Sequence, residues 1–265
     1  MRADVSLCDE ASFSPVPRRR RKSTARVALL LAYDGAGFRG FQRQPGQRTV
    51  EGEILQALTD CRLPTALSFA SRTDAGVHAE GQVIVVRTPP DLDGQVLGRT
   101  LRSRLPPDVR VRLVCPTPRK FHPRWTAVGK RYRYRISAAP SPRAWSLPGL
   151  DRARFMQALS VLARAPRLCG LTAAGAPMKP APPLDRLEWR EDGDALAVTL
   201  EGPAFRRYAL RHLIGAAVSC ARGDRPLGSL VDLAVGAPPY RGLRAPADGL
   251  VLEQVFYPPE LDPFG

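Results

Sequence analysis

The sequence predicts an α+β fold in which two ferredoxin-like halves, each with the order βαββαβ, form one broad, mainly antiparallel sheet. Two observations lead to this prediction. Segments with strand and helix periodicity follow that order twice along the chain. The 265 residues are 44% hydrophobic, which is enough to build a sizeable core. Edge pairing of the two halves would place the helices on one side of the sheet and a central active-site cleft between the halves.

The first half is predicted to span 26–118 and to follow a basic N-terminal extension over 1–25, which we expect to be disordered. Short apolar runs mark its strands, and apolar residues at helical spacing mark its helices. The predicted elements are, in order, a strand at 26–33, a helix at 49–61, strands at 66–70 and 81–88, a helix at 93–103 and a strand at 109–115.

The second half is predicted to span 119–258, with a short tail at 259–265. Between its elements, the segment 168–183 is rich in Ala and Pro without periodicity, which is typical of a loop. The predicted elements are a strand at 131–137, a helix at 151–165, a hairpin of strands at 184–191 and 195–201, a helix at 205–221, a short helix at 227–235 and a strand at 250–257.

The charge of the chain indicates a polyanionic partner. Forty Lys and Arg residues against 25 Asp and Glu residues give a formal net charge of +15 at pH 7. A globular body this basic attracts nucleic acid or an anionic membrane surface. Arginine suits bidentate phosphate contacts better than lysine does. A genome-wide coding preference explains the excess of arginine over lysine equally well, but it does not explain the net charge.

The cysteines and the apolar runs indicate a cytoplasmic protein. No run reaches the length of a membrane-spanning helix, and the N-terminal region lacks a signal peptide. The five cysteines form no C-x-x-C pair, which argues against a disulfide framework and against a zinc site; they stand at positions 8, 61, 115, 169 and 220.

The segment SRTDAGVHAEGQV (71–83) holds more ionisable side chains than a connection between two strands requires. Asp74 precedes a turn, where an aspartate either stabilises the backbone or serves as a nucleophile or base. Arg72 is near enough to pair with Asp74 or to contact a phosphate. His78 has no Ser, Cys or second His nearby, so we assign it a structural role and no proton transfer.

Two further segments combine aromatic and basic residues. In KRYRYRI (130–136), strand alternation places Lys130, Tyr132 and Tyr134 on one face, which is typical either of a core or of a surface that stacks unpaired bases. The helix predicted from 205 would place Arg207 and Arg211 one turn apart. Such a pair is either solvated or positioned to hold a carboxylate or phosphate.

SRTDAGVHAEGQV resembles the catalytic motif of the tRNA pseudouridine synthase A family, RTDaGVHa-GQV. Four more segments match in the same order, namely LAYDGAGFRGFQRQPGQRTVEGEI (31–54), FHPRWTAVGKRYRYRI (121–136), AFRRYALRHLIG (204–215) and DGLVLEQVFYP (248–258). The resemblance implies the pseudouridine synthase fold. It also implies an isomerase that converts uridine to pseudouridine at positions 38 to 40 in the anticodon stem-loop of tRNA.

The resemblance assigns roles to five residues. Asp74 would be the nucleophile, and Arg72 would help flip the target nucleotide out of its stack. Tyr132 would stack on the uracil, Arg211 would pair with Asp74, and Leu250 would line the substrate pocket. The reaction is redox-neutral, so no cofactor and no metal are expected. The implied partners are tRNA and a second copy of the chain in a homodimer, with neither DNA nor a membrane.

The chain also departs from the family pattern. Ala209 and His212 replace the more usual Met and Asn, and Phe41 stands where Trp is common. The segment 169–183 differs as well. These departures leave two alternatives open, namely a synthase that acts on a different RNA or uridine, and a non-catalytic RNA-binding paralogue.

Overall fold

The computed structural model describes residues 24–165, 169–171, 182–235 and 240–265. The predicted N-terminal extension, apart from its last two residues, and most of the predicted loop at 168–183 therefore lie outside the described residues. Within the described part of the chain, no helix has both the length and the apolar character needed to cross a membrane. The boundaries of the two halves at 118/119 and 258/259 stay predictions.

The described residues form nine strands and five helices, in the order that the sequence predicts apart from one added strand. The strands are β1 (Ala25–Tyr33), β2 (Leu67–Phe69), β3 (His78–Thr88), β4 (Val109–Pro116), β5 (Gly129–Ser137), β6 (Trp145–Ser146), β7 (Arg186–Asp192), β8 (Ala195–Gly202) and β9 (Leu250–Phe256). The helices are α1 (Val50–Asp60), α2 (Gly94–Arg104), α3 (Arg152–Ala163), α4 (Ala209–Ala221) and α5 (Ser229–Val235).

All of these strands belong to one sheet in the order β4-β1-β3-β9-β5-β8-β7, with β2 paired to β3 and β6 paired to β5. Strand β3 of the first half and β9 of the second join the halves in parallel through the pairs His78–Val251 and Ala79–Leu252. The other pairs are antiparallel except β5 with β6. The predicted α+β fold with a broad, mainly antiparallel sheet is confirmed.

The junction between the halves lies within the SRTDAGVHAEGQV segment, at His78 and Ala79. Strand β2 pairs with the later part of β3, at Ile84 to Val86, whereas β9 pairs with its first residues. The segment that connects β2 to β3 therefore lies where the two halves meet. Gly81 permits the close approach of β9, because a Cβ at this position would overlap the carbonyl oxygen of Glu253.

Local sequence signals define the helix starts. The side chains of Thr49, Asp93 and Asp151 each accept a hydrogen bond from a backbone N–H in the first turn of α1, α2 and α3. Helix α4 differs, because nearly all of its residues are buried and Arg211 is the half-buried exception. This burial makes α4 a central helix of the second half, and it directs the Arg211 side chain out of the core.

The start of α4 corrects the sequence prediction. The helix begins at Ala209, not at Phe205, because Tyr208 has a left-handed backbone with φ of 65°. Phe205 instead packs edge-on against Tyr132, with ring centroids 5.4 Å apart. Arg207 thus precedes the helix, and the predicted placement of Arg207 and Arg211 one helical turn apart is wrong.

Candidate active site

A cleft of about 1040 Å³ opens between the two halves. Of the described residues that line it, nine are basic and one, Asp74, is acidic. The basic residues are Arg39, Arg43, Arg72, Arg124, Lys130, Arg206, Arg207, Arg211 and Arg244. A cleft lined by one sign of charge concentrates the opposite charge, so this cleft attracts a polyanion.

The turn that carries Asp74 is held by its own hydrogen bonds and by the segment 38–41. The backbone carbonyl of Asp74 accepts the N–H of Val77 at 3.1 Å, and Gly76 has the positive φ of 80° that such a turn requires. The N–H of Phe41 donates to the carbonyl of Thr73 at 3.1 Å. These bonds fix the backbone on both sides of the Asp74 carboxylate.

A buried polar network holds the start of the same segment. The Gln82 side chain donates to the carbonyl of Ser71 at 2.7 Å and accepts the Ser71 N–H at 3.1 Å. The hydroxyls of Tyr33 and Thr73 lie 2.7 Å apart, and burial raises the pKa of Tyr33 far above its usual range. Sequence reasoning missed Gln82 and Tyr33. A glutamine inside an otherwise apolar strand was the signal that the sequence offered, and the structure buries this glutamine fully.

Asp74 lies at the cleft surface, with 25% of its side chain exposed. Nη1 of Arg211 is 3.8 Å from Oδ2 of Asp74, which is longer than a hydrogen bond. Burial raises the pKa of Asp74, and the positive charges of Arg211, Arg207 and Arg244 lower it by less, so the pKa stays above its usual value. Asp74 is therefore a poorly solvated carboxylate held by charge more than by hydrogen bonds.

Arg211 is positioned by the backbone of a nearby loop. Its Nε donates to the carbonyl of Ala245 at 2.7 Å, and the N–H of Ala245 donates to the carbonyl of Arg211 at 3.0 Å. Burial lowers the pKa of Arg211, while the Asp74 carboxylate raises it. The guanidinium thus faces Asp74 while its Nε is held by the protein.

Tyr132 lies in the same cleft and is 6% exposed. Its hydroxyl is 2.8 Å from Oγ of Ser71, and its ring meets Phe205 at an interplanar angle of 89°. Burial is the main cause that raises the pKa of Tyr132 to about 12, so the hydroxyl stays protonated at neutral pH. Nearby, burial lowers the pKa of Lys130 to about 8, and its Nζ donates to the carbonyl of Ala70 at 3.0 Å.

The structure brings together all five residues that the resemblance singles out. Arg72, Asp74, Tyr132, Arg211 and Leu250 all line the cleft, and Arg72 is exposed to solvent there. Their contacts and positions are those described above, and their roles in a reaction stay predictions. The described residues contain no group of three or more His, Cys, Asp or Glu side chains that could hold a metal ion.

His78 does not belong to the described lining of the cleft. It is 2% exposed, and its Nδ1 accepts the N–H of Gly35 at 3.1 Å. Burial is the main cause that lowers its pKa, so the imidazole is neutral near pH 7. This environment is that of a structural histidine.

Sequence reasoning also missed Tyr208 and Arg244, which line the cleft next to Arg211. Tyr208 stands inside the quoted segment AFRRYALRHLIG, where it was assigned to an ordinary helical turn. Arg244 lies in a connection without periodicity, and no local pattern marks it. The positive φ of Tyr208, a rare conformation for tyrosine, identifies this region in the structure.

The broad sheet, with Asp74 as the one acidic side chain among the described residues of a basic, aromatic cleft, agrees with the pseudouridine synthase class that the resemblance implies. Curated relatives named tRNA pseudouridine synthase A support a narrower statement. The Geobacillus kaustophilus protein is 33% identical over 248 residues, covering 89% of this chain and 96% of the relative. The chain belongs to the tRNA pseudouridine synthase A family.

Other relatives with the same name match a similar share of the chain. The Frankia casuarinae protein is 36% identical over 255 residues, covering 89% of this chain and 90% of the relative. The Myxococcus xanthus protein is 35% identical over 256 residues, covering 91% of this chain and 96% of the relative. No family model matches the chain. The similarity thus extends over about nine tenths or more of both this chain and each relative.

Proposed function

We propose that this chain isomerises uridine to pseudouridine in tRNA, with Asp74 as the nucleophile. The observation that carries the proposal is the placement of Asp74 as the one acidic side chain among the described residues of a cleft with nine basic ones. Such a cleft attracts RNA, and its single carboxylate is the group able to attack an electrophilic carbon. Membership of the family supplies the reaction class.

The first step is the capture of an extruded nucleotide. A uridine inside a paired or stacked region cannot reach Asp74, so it must rotate out of the stack. Arg72 is exposed at the cleft and can contact the phosphate backbone or fill the position that the base leaves. The Tyr132 ring would then stack on the uracil, which is a sequence-tolerant contact of an aromatic side chain with a base.

The second step is the exchange of the glycosidic bond. The ionised carboxylate of Asp74 attacks either C1′ of the ribose or C6 of the base, and the bond between C1′ and N1 breaks. The detached uracil rotates, C5 bonds to C1′, and the bond to the Asp74 carboxylate breaks. C5 then releases its proton, and N1 gains one. Because atoms only exchange places, the reaction needs no oxidant, reductant or cofactor.

The electrostatics of the cleft suit this step. Burial of Asp74 removes water that would otherwise stabilise the carboxylate, which strengthens its reactivity toward carbon. The positive charge of Arg211 at 3.8 Å keeps enough of the carboxylate ionised. Leu250 and Tyr132 supply apolar surface on which the uracil can rotate.

We further propose that the target uridines lie at positions 38 to 40 of the anticodon stem-loop and that the protein acts as a cytoplasmic homodimer. The target positions and the homodimer rest on the resemblance described above, and the cytoplasmic location rests on the cysteine pattern and the apolar runs of the sequence. A synthase for a different RNA or uridine is the second candidate, favoured by the altered segment at 169–183 and by Ala209 and His212. The presence of Asp74, Tyr132 and Arg211 in one cleft disfavours a non-catalytic RNA-binding paralogue.

The experiment that separates these candidates is a map of pseudouridines in cellular RNA with and without the gene. We expect the loss of pseudouridine at positions 38 to 40 of several tRNAs and no change elsewhere. Loss at other positions or in another RNA would establish the second candidate. An unchanged map would contradict the proposed enzyme.

A further inference from the structure

Three guanidinium groups surround the ring of Tyr208. The Cζ atoms of Arg244, Arg207 and Arg211 lie 4.3, 4.6 and 5.7 Å from the ring centroid. Nη2 of Arg207 also donates to the Tyr208 hydroxyl at 2.7 Å. All four residues line the cleft. An aromatic ring attracts cations to its face, so Tyr208 holds three arginines in one place despite their mutual repulsion.

The backbone around this cluster is strained at Tyr208 and closely packed at Gly215. Tyr208 has a φ of 65°, which is strained for any residue other than glycine and persists only where the surrounding structure holds it. The loop that carries Arg244 crosses α4 so closely that a Cβ on Gly215 would overlap the carbonyl oxygen of Leu243. Strained or closely packed backbone of this kind is frequent at binding sites.

The charges of this cluster are not balanced within the protein. Among the described residues, the one carboxylate within 4.0 Å of these three guanidinium groups is that of Asp74, which contacts Arg211. Arg207 and Arg244 therefore have no carboxylate within 4.0 Å in the described part of the chain, although their charges act on Asp74 from farther away. Both side chains are exposed in the cleft, where a ligand can reach their N–H donors.

We propose that Arg207, Tyr208 and Arg244 form a binding site for a backbone phosphate of the RNA, next to the nucleotide that reacts with Asp74. Guanidinium groups bind phosphate oxygens through paired N–H donors. The Tyr208 hydroxyl accepts a hydrogen bond from Arg207, so its own proton is free to be donated to a phosphate oxygen. The inference rests on the proposed function, because it assumes an RNA substrate in this cleft.

The position of the site determines which phosphate it would bind. Arg211 contacts both Tyr208 and Asp74, so the cluster begins one side chain away from the nucleophile. A ribose in contact with Asp74 carries its own 5′ and 3′ phosphates at that range. A phosphate held there would fix the sugar while the uracil is detached and rotates. Arg207, Tyr208 and Arg244 would thus act as positioning residues.

The test is the salt dependence of tRNA binding, measured with a tRNA transcript and the Asp74→Asn protein so that no reaction alters the RNA. Loss of one phosphate contact should reduce the slope of log K against log salt by about 0.7 to 0.9. We expect this reduction, with weaker binding, for Arg244→Gln and for Arg207→Gln. The matched control is Arg164→Gln, an exposed arginine after α3 that does not line the cleft, which should change neither quantity.

A charge-neutral variant tests the role of the ring. Tyr208→Leu removes the surface on which the guanidinium groups rest and removes no charge. We expect it to weaken tRNA binding and to reduce the slope as well, because the arginines are released to water. A melting curve checks that each variant folds, and Tyr208→Phe, which keeps the ring, should retain most of the slope.

Three results would overturn the site. They are unchanged slopes for both arginine variants, an equal reduction for Arg164→Gln, and binding of inorganic phosphate that Arg244→Gln abolishes while the tRNA slope stays the same. The last result would assign the cluster to a free phosphate. None of these measurements depends on turnover. A wild-type protein that forms no pseudouridine would refute the proposed function and leave the binding result standing.

Discussion

Nη1 of Arg211 lies 3.8 Å from Oδ2 of Asp74, while Nε of the same arginine donates to the carbonyl of Ala245 at 2.7 Å. The protein backbone, not the carboxylate, therefore holds the guanidinium. A carboxylate bound by two short N–H bonds would be stabilised and slow to attack carbon. At 3.8 Å, the positive charge of Arg211 stabilises the ionised form of Asp74, but Arg211 donates no strong hydrogen bond to the carboxylate.

The pH dependence of turnover should report this environment. The pKa of Asp74 is raised, mainly by burial, and the attack requires the ionised form. We expect kcat/KM to rise with pH through a value above the usual pKa of an aspartate. Arg244→Gln removes a charge that lowers this pKa, so it should move the acid limb to higher pH. An acid limb at the same pH in Arg244→Gln and wild type would contradict this assignment.

The free energy of unfolding should fall as pH rises, whereas kcat/KM should increase. A carboxyl with a raised pKa in the folded state binds more protons there than in the unfolded chain, so the free energy of unfolding falls as pH rises from the unfolded to the folded pKa. Asp74→Asn avoids this loss. We expect a higher Tm than wild type at pH 7 and an equal Tm below the unfolded pKa. A lower Tm at pH 7 would show that the carboxylate stabilises the fold.

The hydroxyl and the ring of Tyr132 should make separate contributions to turnover. Tyr132→Phe removes the hydrogen bond to Ser71, about 0.5–1.5 kcal/mol, and should lower turnover moderately. Ser71→Ala removes the same bond from the other side and should have a matching effect. Tyr132→Ala also removes the stacking surface, worth about 1–3 kcal/mol per base, and should lower turnover further. Steady-state kinetics on a tRNA transcript measure all three, and wild-type turnover in Tyr132→Ala would contradict the assignment.

The close approach at Gly215 should be costly to disturb. Gly215→Ala places a methyl group against the carbonyl of Leu243, so we expect the free energy of unfolding to fall by about 1–3 kcal/mol. The displaced loop would also move Arg244. Gly228 is the matched control, because a Cβ there meets no atom within 4 Å. Urea denaturation compares the two, and an equal effect of both substitutions would rule out the contact as the cause.

Much of the fold could be predicted because its elements carry their periodicity locally. The strand at β5 alternates, and the side chains of Thr49, Asp93 and Asp151 cap helices close to the predicted starts. Strand β6 has two residues, Trp145 and Ser146, and is too short to show alternation. The residues Arg72, Asp74, Tyr132, Arg211 and Leu250 could be placed in one cleft because family motifs mark them.

The start of α4 and the position of Arg244 could not be predicted in this way. The apolar spacing of Phe205 extends the helical pattern backwards. Phe205 instead contacts Tyr132, and the left-handed backbone of Tyr208 makes the helix begin later, at Ala209. The loop of Arg244 is held at the cleft by its neighbour Ala245, whose carbonyl accepts the Nε–H of Arg211 and whose N–H donates to the Arg211 carbonyl. Such contacts between distant segments exist only in the folded chain.

The measurement that tests the central claim most directly is tritium release from C5-labelled uridine in a tRNA transcript by the Asp74→Asn protein. Asparagine keeps the shape of the side chain and can occupy the same turn, but it lacks the charge and the nucleophilic oxygen. We predict that release vanishes while the variant melts cooperatively and still binds tRNA. Multiple turnover by a folded Asp74→Asn protein would contradict the assignment of Asp74 as the nucleophile.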